Sequence, residues 1–168
     1  MGLLTPDYIF KDVTRITPAF LRRHGIRGLV LDVDNTLTEH GSHELRPQVA
    51  AWLVLMRENG IHMMIASNNV EQRVAPFAQK IGLDYISFCC KPSPYGLMAA
   101  RRKWGLPRSR MALVGDQIFT DAWAGALYGI RVLLVRPMAR DPKPSVRLKR
   151  RLEKPFLLRY YKNGGKLL

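Results

Sequence analysis

The sequence predicts an α/β protein in which helices cover both faces of a mostly parallel β-sheet. Five short apolar stretches recur along the chain, at residues 28–33, 61–66, 85–90, 111–115 and 130–135. They are almost continuously hydrophobic, as strands are when both faces of their sheet are covered. Amphipathic stretches separate them, and such alternation of strands and helices is typical of a parallel sheet with right-handed crossovers.

The helices are predicted from apolar residues at helical spacing. In the stretch 45–59, one face carries Leu45, Val49, Trp52, Leu53 and Met56. A proline near the start of this stretch and a glycine after its end are typical helix boundaries. Further helices are expected at 70–81, 95–104 and 118–129. We expect a single domain over residues 1–168, because the chain has enough residues to bury one core.

Positive charge is concentrated at the C-terminal end. The chain has 27 Lys and Arg residues against 13 Asp and Glu, a net charge of +14. Residues 136–168 contain eleven of the basic residues, opposed only by Asp141 and Glu153, so this segment carries +9. A basic end suggests a polyanionic partner such as anionic lipid, nucleic acid or the ribosome. It can equally be a solvated surface that aids solubility.

Residues 137–168 are expected to form a basic extension that packs on the domain or faces a membrane. We predict a proline-rich crossing and then a short basic amphipathic helix, broken near Pro155. Five basic residues lie between Arg147 and Lys154, and each contributes about 1 kcal/mol near an anionic bilayer. In the competing interpretation, Leu148, Leu152, Phe156 and Leu157 pack on the domain.

No apolar run approaches the roughly 20 residues that a transmembrane helix requires. The first ten residues, MGLLTPDYIF, lack the charged start and apolar run of a signal peptide. The two cysteines, Cys89 and Cys90, are too few for a disulfide framework and are expected in a strand. We therefore expect a cytoplasmic protein, with peripheral attachment to the inner face of the membrane as an option.

Residues that carry chemistry follow four of the predicted strands. In chain order they are Asp32 and Asp34, Ser67 and Asn68, Lys91, and Asp116 and Asp121. Singly, each has a structural explanation; a serine after a strand, for example, is commonly a helix N-cap. Ligands of parallel sheets bind beyond the carboxyl ends of the strands, so together these residues indicate one shared cleft.

Asp32 and Asp34 lean to the same side of their strand because side chains alternate. Two ionised carboxylates about 5 Å apart repel by roughly 3 kcal/mol at an effective dielectric near 20. A divalent cation or a shared proton relieves this repulsion, and Mg²⁺, a small hard cation that takes oxygen ligands, fits best. The whole set suits a phosphoryl group, which needs a nucleophile, a cation and donors around its oxygens.

On these motifs the sequence resembles the haloacid dehalogenase (HAD) superfamily of phosphohydrolases. The segments DVDNTL and GDQIFTD, with Ser67 and Lys91 between them, stand in the order of that superfamily's four motifs. The closer resemblance is to the YqeG family of type IIIA phosphatases, from about Leu4 to Tyr160. It implies a HAD-like Rossmannoid three-layer α/β/α fold and hydrolysis of a phosphate-ester substrate.

The resemblance also implies roles in the reaction. Asp32 would attack phosphorus and form an aspartyl-phosphate. Asp34 would protonate the leaving alkoxide and then activate the hydrolytic water. Asp32, the main-chain carbonyl of Asp34 and Asp116 would hold Mg²⁺.

The remaining residues would bind and orient, again by resemblance. Ser67 and Lys91 would bind the transferring phosphoryl oxygens, with Asn68 nearby. Thr36, grouped with these phosphate-binding residues, would shape the turn that aims the second aspartate of DVDNTL. Asp121 would support the site by orienting Lys91 or a metal-bound water.

The spacing of the motifs leaves no room for a large cap domain. Thirty residues separate Thr36 from Ser67, and 23 separate Ser67 from Lys91. A predicted helix and strand fill most of each interval, whereas a lid domain would need roughly 50 residues or more. The cleft is therefore expected to be open, which suits large substrates, or small ones if a neighbouring subunit acts as the lid.

Three functions stay open at this point. The first is hydrolysis of a lipid phosphate such as phosphatidylglycerophosphate, because the YqeG family is similar to phosphatidylglycerophosphate phosphatases. The second is a phosphatase for soluble nucleotide or sugar phosphates. The third, which the charge of +14 supports, is a nucleic-acid or ribosome-binding protein on the same scaffold. The missing RNA-reading motifs weigh against it. The oligomeric state also stays open.

Overall fold

The computed structural model describes residues 4–168. Its strands are β1 (Tyr8–Phe10), β2 (Gly28–Leu31), β3 (His62–Ala66), β4 (Asp84–Ile86), β5 (Met111–Gly115) and β6 (Arg131–Val135). They form one sheet in the order β1-β6-β5-β2-β3-β4, and every neighbouring pair is parallel. After β2 the chain adds β3 and β4 on one side of the sheet, and after β5 it adds β6 on the other side. The topological switch point therefore lies between β2 and β5, where the predicted cleft is expected.

Helices cover both faces of the sheet. They are α1 (Pro18–Arg23), α2 (Pro47–Glu58), α3 (Glu71–Ile81), α4 (Tyr95–Trp104), α5 (Trp123–Tyr128) and α6 (Pro144–Lys162). One core joins α1, α2 and α3 to one face of the sheet, and two smaller clusters join α4, α5 and α6 to the other. The predicted three-layer α/β/α architecture is confirmed.

The alternation of side chains along β2 shows how the sheet divides its two cores. Leu29 and Leu31 belong to the large core, whereas Val30 between them belongs to a cluster on the opposite face. The face predicted for α2 is also confirmed, because Val49, Trp52, Leu53 and Met56 are buried. The Trp52 indole N–H donates to the Ile16 carbonyl at 2.7 Å, which fixes α2 against the turn before α1.

The N-terminal strand β1 and helix α1 are absent from the sequence prediction. Both are short, with three and six residues, so neither contains enough residues to show a period. The third predicted strand is too long, because β4 ends at Ile86. Phe88 and Cys90 have φ angles of +48° and +50°, a left-handed backbone that cannot continue a strand. The prediction that Cys89 and Cys90 lie in a strand is therefore wrong.

The C-terminal segment forms one helix, α6, which continues through Pro155. The predicted break is wrong; Pro155 and Arg151, one turn before it, are both exposed, so the hydrogen bond that Pro155 does not donate is lost on the solvent side. Phe156 and Leu157 pack on the domain as one interpretation predicted, whereas Leu148 and Leu152 are exposed. Across the described part of the chain, no helix combines the length and apolar character needed to span a bilayer.

Candidate active site

The loop after β2 carries the first two aspartates to the edge of the sheet. The main-chain N–H of Asp32 still donates to Val114 of β5 at 2.9 Å, so Asp32 extends the central strand pair. The chain then turns back on itself, and the N–H groups of Thr36 and Leu37 both donate to the Val33 carbonyl. Asn35 in this turn has a φ of +59°. The turn therefore places the two aspartates in different environments: Asp32 is buried, and Asp34 is half-buried.

Lys91 lies between two buried carboxylates. Its Nζ is 2.7 Å from Asp32 Oδ1 and 2.7 Å from Asp121 Oδ1. Lys91 and Asp32 are each 7% exposed, and Asp121 is 0% exposed. Burial raises the pKa of Asp32 to about 6, and the charge of Lys91 limits this rise. Burial alone would lower the pKa of Lys91, but Asp121 and Asp32 outweigh it and raise the pKa above its ordinary value.

Asp121 reaches this position from a short π-helical turn, Ile118–Ala122, that follows β5. Its Oδ2 accepts a hydrogen bond at 3.1 Å from the N–H of Gln117, the residue just before this turn. Gly115 at the end of β5 makes room for it, because a Cβ at that position would overlap the Asp121 carboxylate. The glycine of GDQIFTD is thus required by the close approach of a side chain.

Asp32, Asp116 and Asp121 form a cluster of carboxylates. Each offers one oxygen, and these oxygens lie within 4.8 Å of one another. Burial raises the pKa of Asp116 well above its ordinary value, although Arg150 opposes this rise. Asp116 Oδ1 is buried and has no hydrogen-bond partner among residues 4–168. A hard cation such as Mg²⁺ prefers oxygen ligands of this kind, so the cluster fits one.

The Asp34 carboxylate lies outside this cluster. Its Oδ2 accepts from the Asn69 amide at 2.5 Å, and its Oδ1 accepts from the Gly41 N–H at 2.8 Å. Arg73 of α3 pairs with Oδ1 at 3.2 Å. No role was predicted for Asn69 or Arg73; the available signal was that Asn69 is the last residue of the SNN segment and Arg73 lies in the first turn of the helix that follows it. Asp34 is thus oriented by three donors apart from the carboxylate cluster.

The other residues predicted for phosphate binding lie around the same edge. Ser67 is buried, and its Oγ accepts from the Asn69 N–H at 3.1 Å. Asn68 clamps the main chain of Lys91, since its Oδ1 accepts from the Lys91 N–H at 2.6 Å and its Nδ2 donates to the Lys91 carbonyl at 3.1 Å. Thr36 Oγ1 is buried without a hydrogen-bond partner in the described residues.

Helix α6 adds a residue that the sequence reasoning missed. Arg150 donates through its guanidinium to both the side chain and the carbonyl of Asp116. Burial would lower the pKa of Arg150, but Asp116 and Glu153 outweigh it and raise this pKa. One signal was present in the sequence, since Asp141 and Glu153 are the only acidic residues in the basic C-terminal segment. Both contact Arg150.

Comparison with known proteins agrees with this geometry. A model of the haloacid dehalogenase-like hydrolases matches residues 39–129. The Bacillus subtilis protein named Probable phosphatase YqeG is 32% identical over 159 residues, which cover 95% of this chain and 92% of that protein. The chain belongs to the haloacid dehalogenase-like hydrolases. The resemblance to the YqeG family and the phosphatase activity inferred from it are confirmed.

Other proteins share either the sequence pattern or the fold of this HAD-like phosphatase. Phosphatidylglycerophosphate phosphatase 1 from Arabidopsis thaliana is 28% identical over 96% of this chain, which spans only 49% of that protein. A 4-nitrophenylphosphatase from Thermotoga maritima superposes with a TM-score of 0.59 over 71% of this chain and 89% of its own, at 15% identity. That structural likeness shows the fold alone.

Between residues 4 and 168 the HAD-like phosphatase has no large cap domain, as the spacing predicted. Between Thr36 and Ser67 the structure has only α2 and β3 as regular elements. Between Ser67 and Lys91 it has only α3 and β4. The cluster of Lys91 and the three aspartates is therefore reached from the carboxyl edge of the sheet without an inserted lid.

Proposed function

We propose that this phosphatase hydrolyses a lipid phosphate monoester such as phosphatidylglycerophosphate, using Mg²⁺ and an aspartyl-phosphate intermediate. The observation that carries the proposal is the arrangement around Lys91, whose ammonium joins Asp32 and Asp121 at 2.7 Å each beside Asp116. A nucleophilic carboxylate, a fixed cation and further carboxylates for a metal are the parts that phosphoryl transfer requires.

Asp32 is the proposed nucleophile. Its carboxylate oxygen attacks phosphorus, the bond from phosphorus to the ester oxygen breaks, and Asp34 gives a proton to the departing alkoxide. Asp34 then removes a proton from water, whose oxygen attacks phosphorus. The bond between phosphorus and the Asp32 oxygen breaks, which releases inorganic phosphate and restores the Asp32 carboxylate. Asn69 and Arg73 keep the Asp34 carboxylate in a fixed orientation for both proton transfers.

The proposed ligands of Mg²⁺ are the Asp32 and Asp116 carboxylates and the main-chain carbonyl of Asp34, with Asp121 completing the acidic cluster. When bound, the ion adds positive charge beside the phosphoryl oxygens. Lys91 and Arg150 offset two of the three clustered carboxylates, which leaves one negative charge for the ion to neutralise. Ser67 and Lys91 are proposed to bind the phosphoryl oxygens, and Asn68 to hold Lys91 in place.

The lipid substrate is supported by the surroundings of the site. A cavity of about 390 Å³ lies between the end of β6 and α6, and Asp116 and Arg150 form part of its wall. The same wall combines basic and apolar side chains: Arg136, Arg140, Lys154, Leu157 and Tyr161. Leu148 and Leu152 of α6 are exposed nearby in sequence, so we propose that the enzyme works as a peripheral protein at the cytoplasmic face of an anionic membrane.

The proposal is tested by comparing phosphate release from several substrates. Phosphatidylglycerophosphate in mixed micelles, glycerol phosphate, a nucleotide and a sugar phosphate are each incubated with Mg²⁺ or with a chelator. We expect the lipid to be hydrolysed fastest, the chelator to stop hydrolysis, and the Asp32→Asn variant to release no phosphate. Faster hydrolysis of a soluble ester would contradict the lipid assignment while leaving the phosphatase activity in place.

A further inference from the structure

The two carboxylate oxygens of Asp116 have different surroundings. Oδ2 pairs with the Arg150 guanidinium, whereas Oδ1 is buried without a hydrogen-bond partner in the described residues. A second guanidinium nitrogen of Arg150 donates to the main-chain carbonyl of Asp116. Arg150 therefore holds both the side chain and the main chain of Asp116 and leaves one carboxylate oxygen free.

Arg150 is itself fixed by two acidic residues. Its Nε donates to Asp141 Oδ2 at 3.0 Å, and its Nη1 donates to Glu153 Oε2 at 3.3 Å. Asp141 and Glu153 are 5% and 3% exposed, although the segment around them is strongly basic. A planar guanidinium held at several donors keeps one orientation, which a flexible ammonium does not.

The same acidic residues join α6 to both catalytic loops. Glu153 Oε1 accepts from the Ile118 N–H at 2.7 Å, in the loop that carries Asp116. Asp141 Oδ1 accepts from the Asn35 amide at 2.7 Å, in the turn after Asp32. The C-terminal segment thus fastens the loops after β2 and β5 at the point where the carboxylate cluster forms.

We propose that Arg150 is a positioning residue for the metal site: it holds Oδ2 of Asp116 so that Oδ1 remains available as a ligand for Mg²⁺. This inference rests on the proposed metal site. It gives the basic C-terminal helix a role inside the active site. Partners that orient a metal ligand commonly contribute about 10-fold to 100-fold in metal affinity, so loss of Arg150 weakens Mg²⁺ binding by a factor of this size.

The test measures Mg²⁺ binding to the full chain by isothermal titration calorimetry. The variants are Arg150→Gln, which removes the positive charge and the planar guanidinium, and Arg150→Lys, which keeps the positive charge but lacks the guanidinium. The control is Arg151→Gln, because Arg151 is the next residue of α6, is exposed, and forms no ion pair among residues 4–168. Circular dichroism and thermal unfolding without Mg²⁺ report whether each variant folds.

We expect the dissociation constant for Mg²⁺ to rise about 10-fold to 100-fold in Arg150→Gln, to rise less in Arg150→Lys, and to stay unchanged in Arg151→Gln. If Arg150→Gln does not fold, the inference is tested by comparing the dissociation constants for Mg²⁺ of Arg150→Lys and Arg151→Gln.

Three results would overturn the inference. Unchanged Mg²⁺ affinity in both Arg150 variants would mean that Asp116 needs no such support. Tighter binding would mean that Arg150 competes with the cation for Asp116. If the unmodified protein and Arg151→Gln bind no Mg²⁺, the proposed metal site itself fails, and the inference fails with it.

Discussion

The Lys91 ammonium lies 2.7 Å from Oδ1 of Asp32, although the two residues are 59 positions apart in the chain. Both are almost fully buried. A buried carboxylate without a partner is costly, so each of these charges depends on the other. The contact joins the loop after β2 to the loop after β4 and sets the position of the proposed nucleophile.

Replacement of Lys91 by Met is expected to reduce hydrolysis at least about 100-fold, since a fixed positive charge beside the phosphoryl group is lost. It should also lower the free energy of unfolding at neutral pH by roughly 3 kcal/mol, because Asp32 and Asp121 are left buried without their partner. Activity assays and denaturant unfolding measure the two effects.

The matched control is Lys103→Met. Lys103 pairs with Asp84 at 2.6 Å, but the side chains of this pair are 50% and 55% exposed. A surface pair of this kind contributes about 0–1 kcal/mol. A Lys91 variant as stable as the Lys103 variant would show that the buried contact does not hold the site together.

The ionisation of Asp32 should be visible in the stability of the metal-free protein. Its pKa is raised from 3.8 to about 6 by burial, so the folded state binds a proton more tightly than the unfolded state. The contribution of Asp32 to stability is therefore present below pH 4 and is lost as the pH rises through about 6.

The Asp32→Asn variant isolates this effect because an amide does not ionise. With a chelator present, the free energy of unfolding of this variant, measured relative to that of the unmodified protein, should increase by on the order of 2–3 kcal/mol as the pH rises from 4 to 7. Urea unfolding at several pH values measures the difference. A difference that does not change with pH would mean that Asp32 keeps an ordinary pKa in the folded protein.

Replacement of both Leu148 and Leu152 by Gln tests the proposed membrane contact. These side chains of α6 are 57% and 56% exposed, so their loss should not disturb the core. We expect slower hydrolysis of a lipid phosphate in anionic vesicles and unchanged hydrolysis of a soluble aryl phosphate. The control is Leu127→Gln on α5, where the leucine is 52% exposed. Equal rates of the α6 variant and this control on vesicles would rule out α6 as the contact.

Much of the fold was predictable because each central strand is a continuous apolar run followed by polar residues. In β5, for example, all five residues are buried, and Asp116 follows immediately. The N-terminal strand β1 was not predictable from such a pattern, since it has three residues at the edge of the sheet. Its position depends on pairing with β6, which no local pattern reports.

The role of Arg150 could not be predicted from the sequence either. It is one of eleven basic residues in the last 33, and most basic residues in such a segment lie in solvent. Arg150 turns inward because α6 packs beside the loop after β5, where Asp116 accepts its hydrogen bonds. Glu153, three residues further along α6, pairs with the same guanidinium. The contact with Asp116 is a tertiary contact between residues 34 positions apart.

The Asp34→Asn variant is expected to stall after the first step of the reaction, because the hydrolytic water loses its base. An aryl phosphate is the suitable substrate, since its leaving group does not need protonation. We expect a burst of product equal to about one turnover per site, followed by slow release of phosphate. Stopped-flow absorbance measures this burst.

The most direct test is to locate the phosphoryl group on the stalled enzyme by mass spectrometry of rapidly quenched Asp34→Asn protein. We expect one added phosphoryl group, on the peptide that contains Asp32, and none when Asp32→Asn is combined with Asp34→Asn. A phosphoryl group on another peptide, or steady turnover without any phosphoenzyme, would show that Asp32 is not the nucleophile.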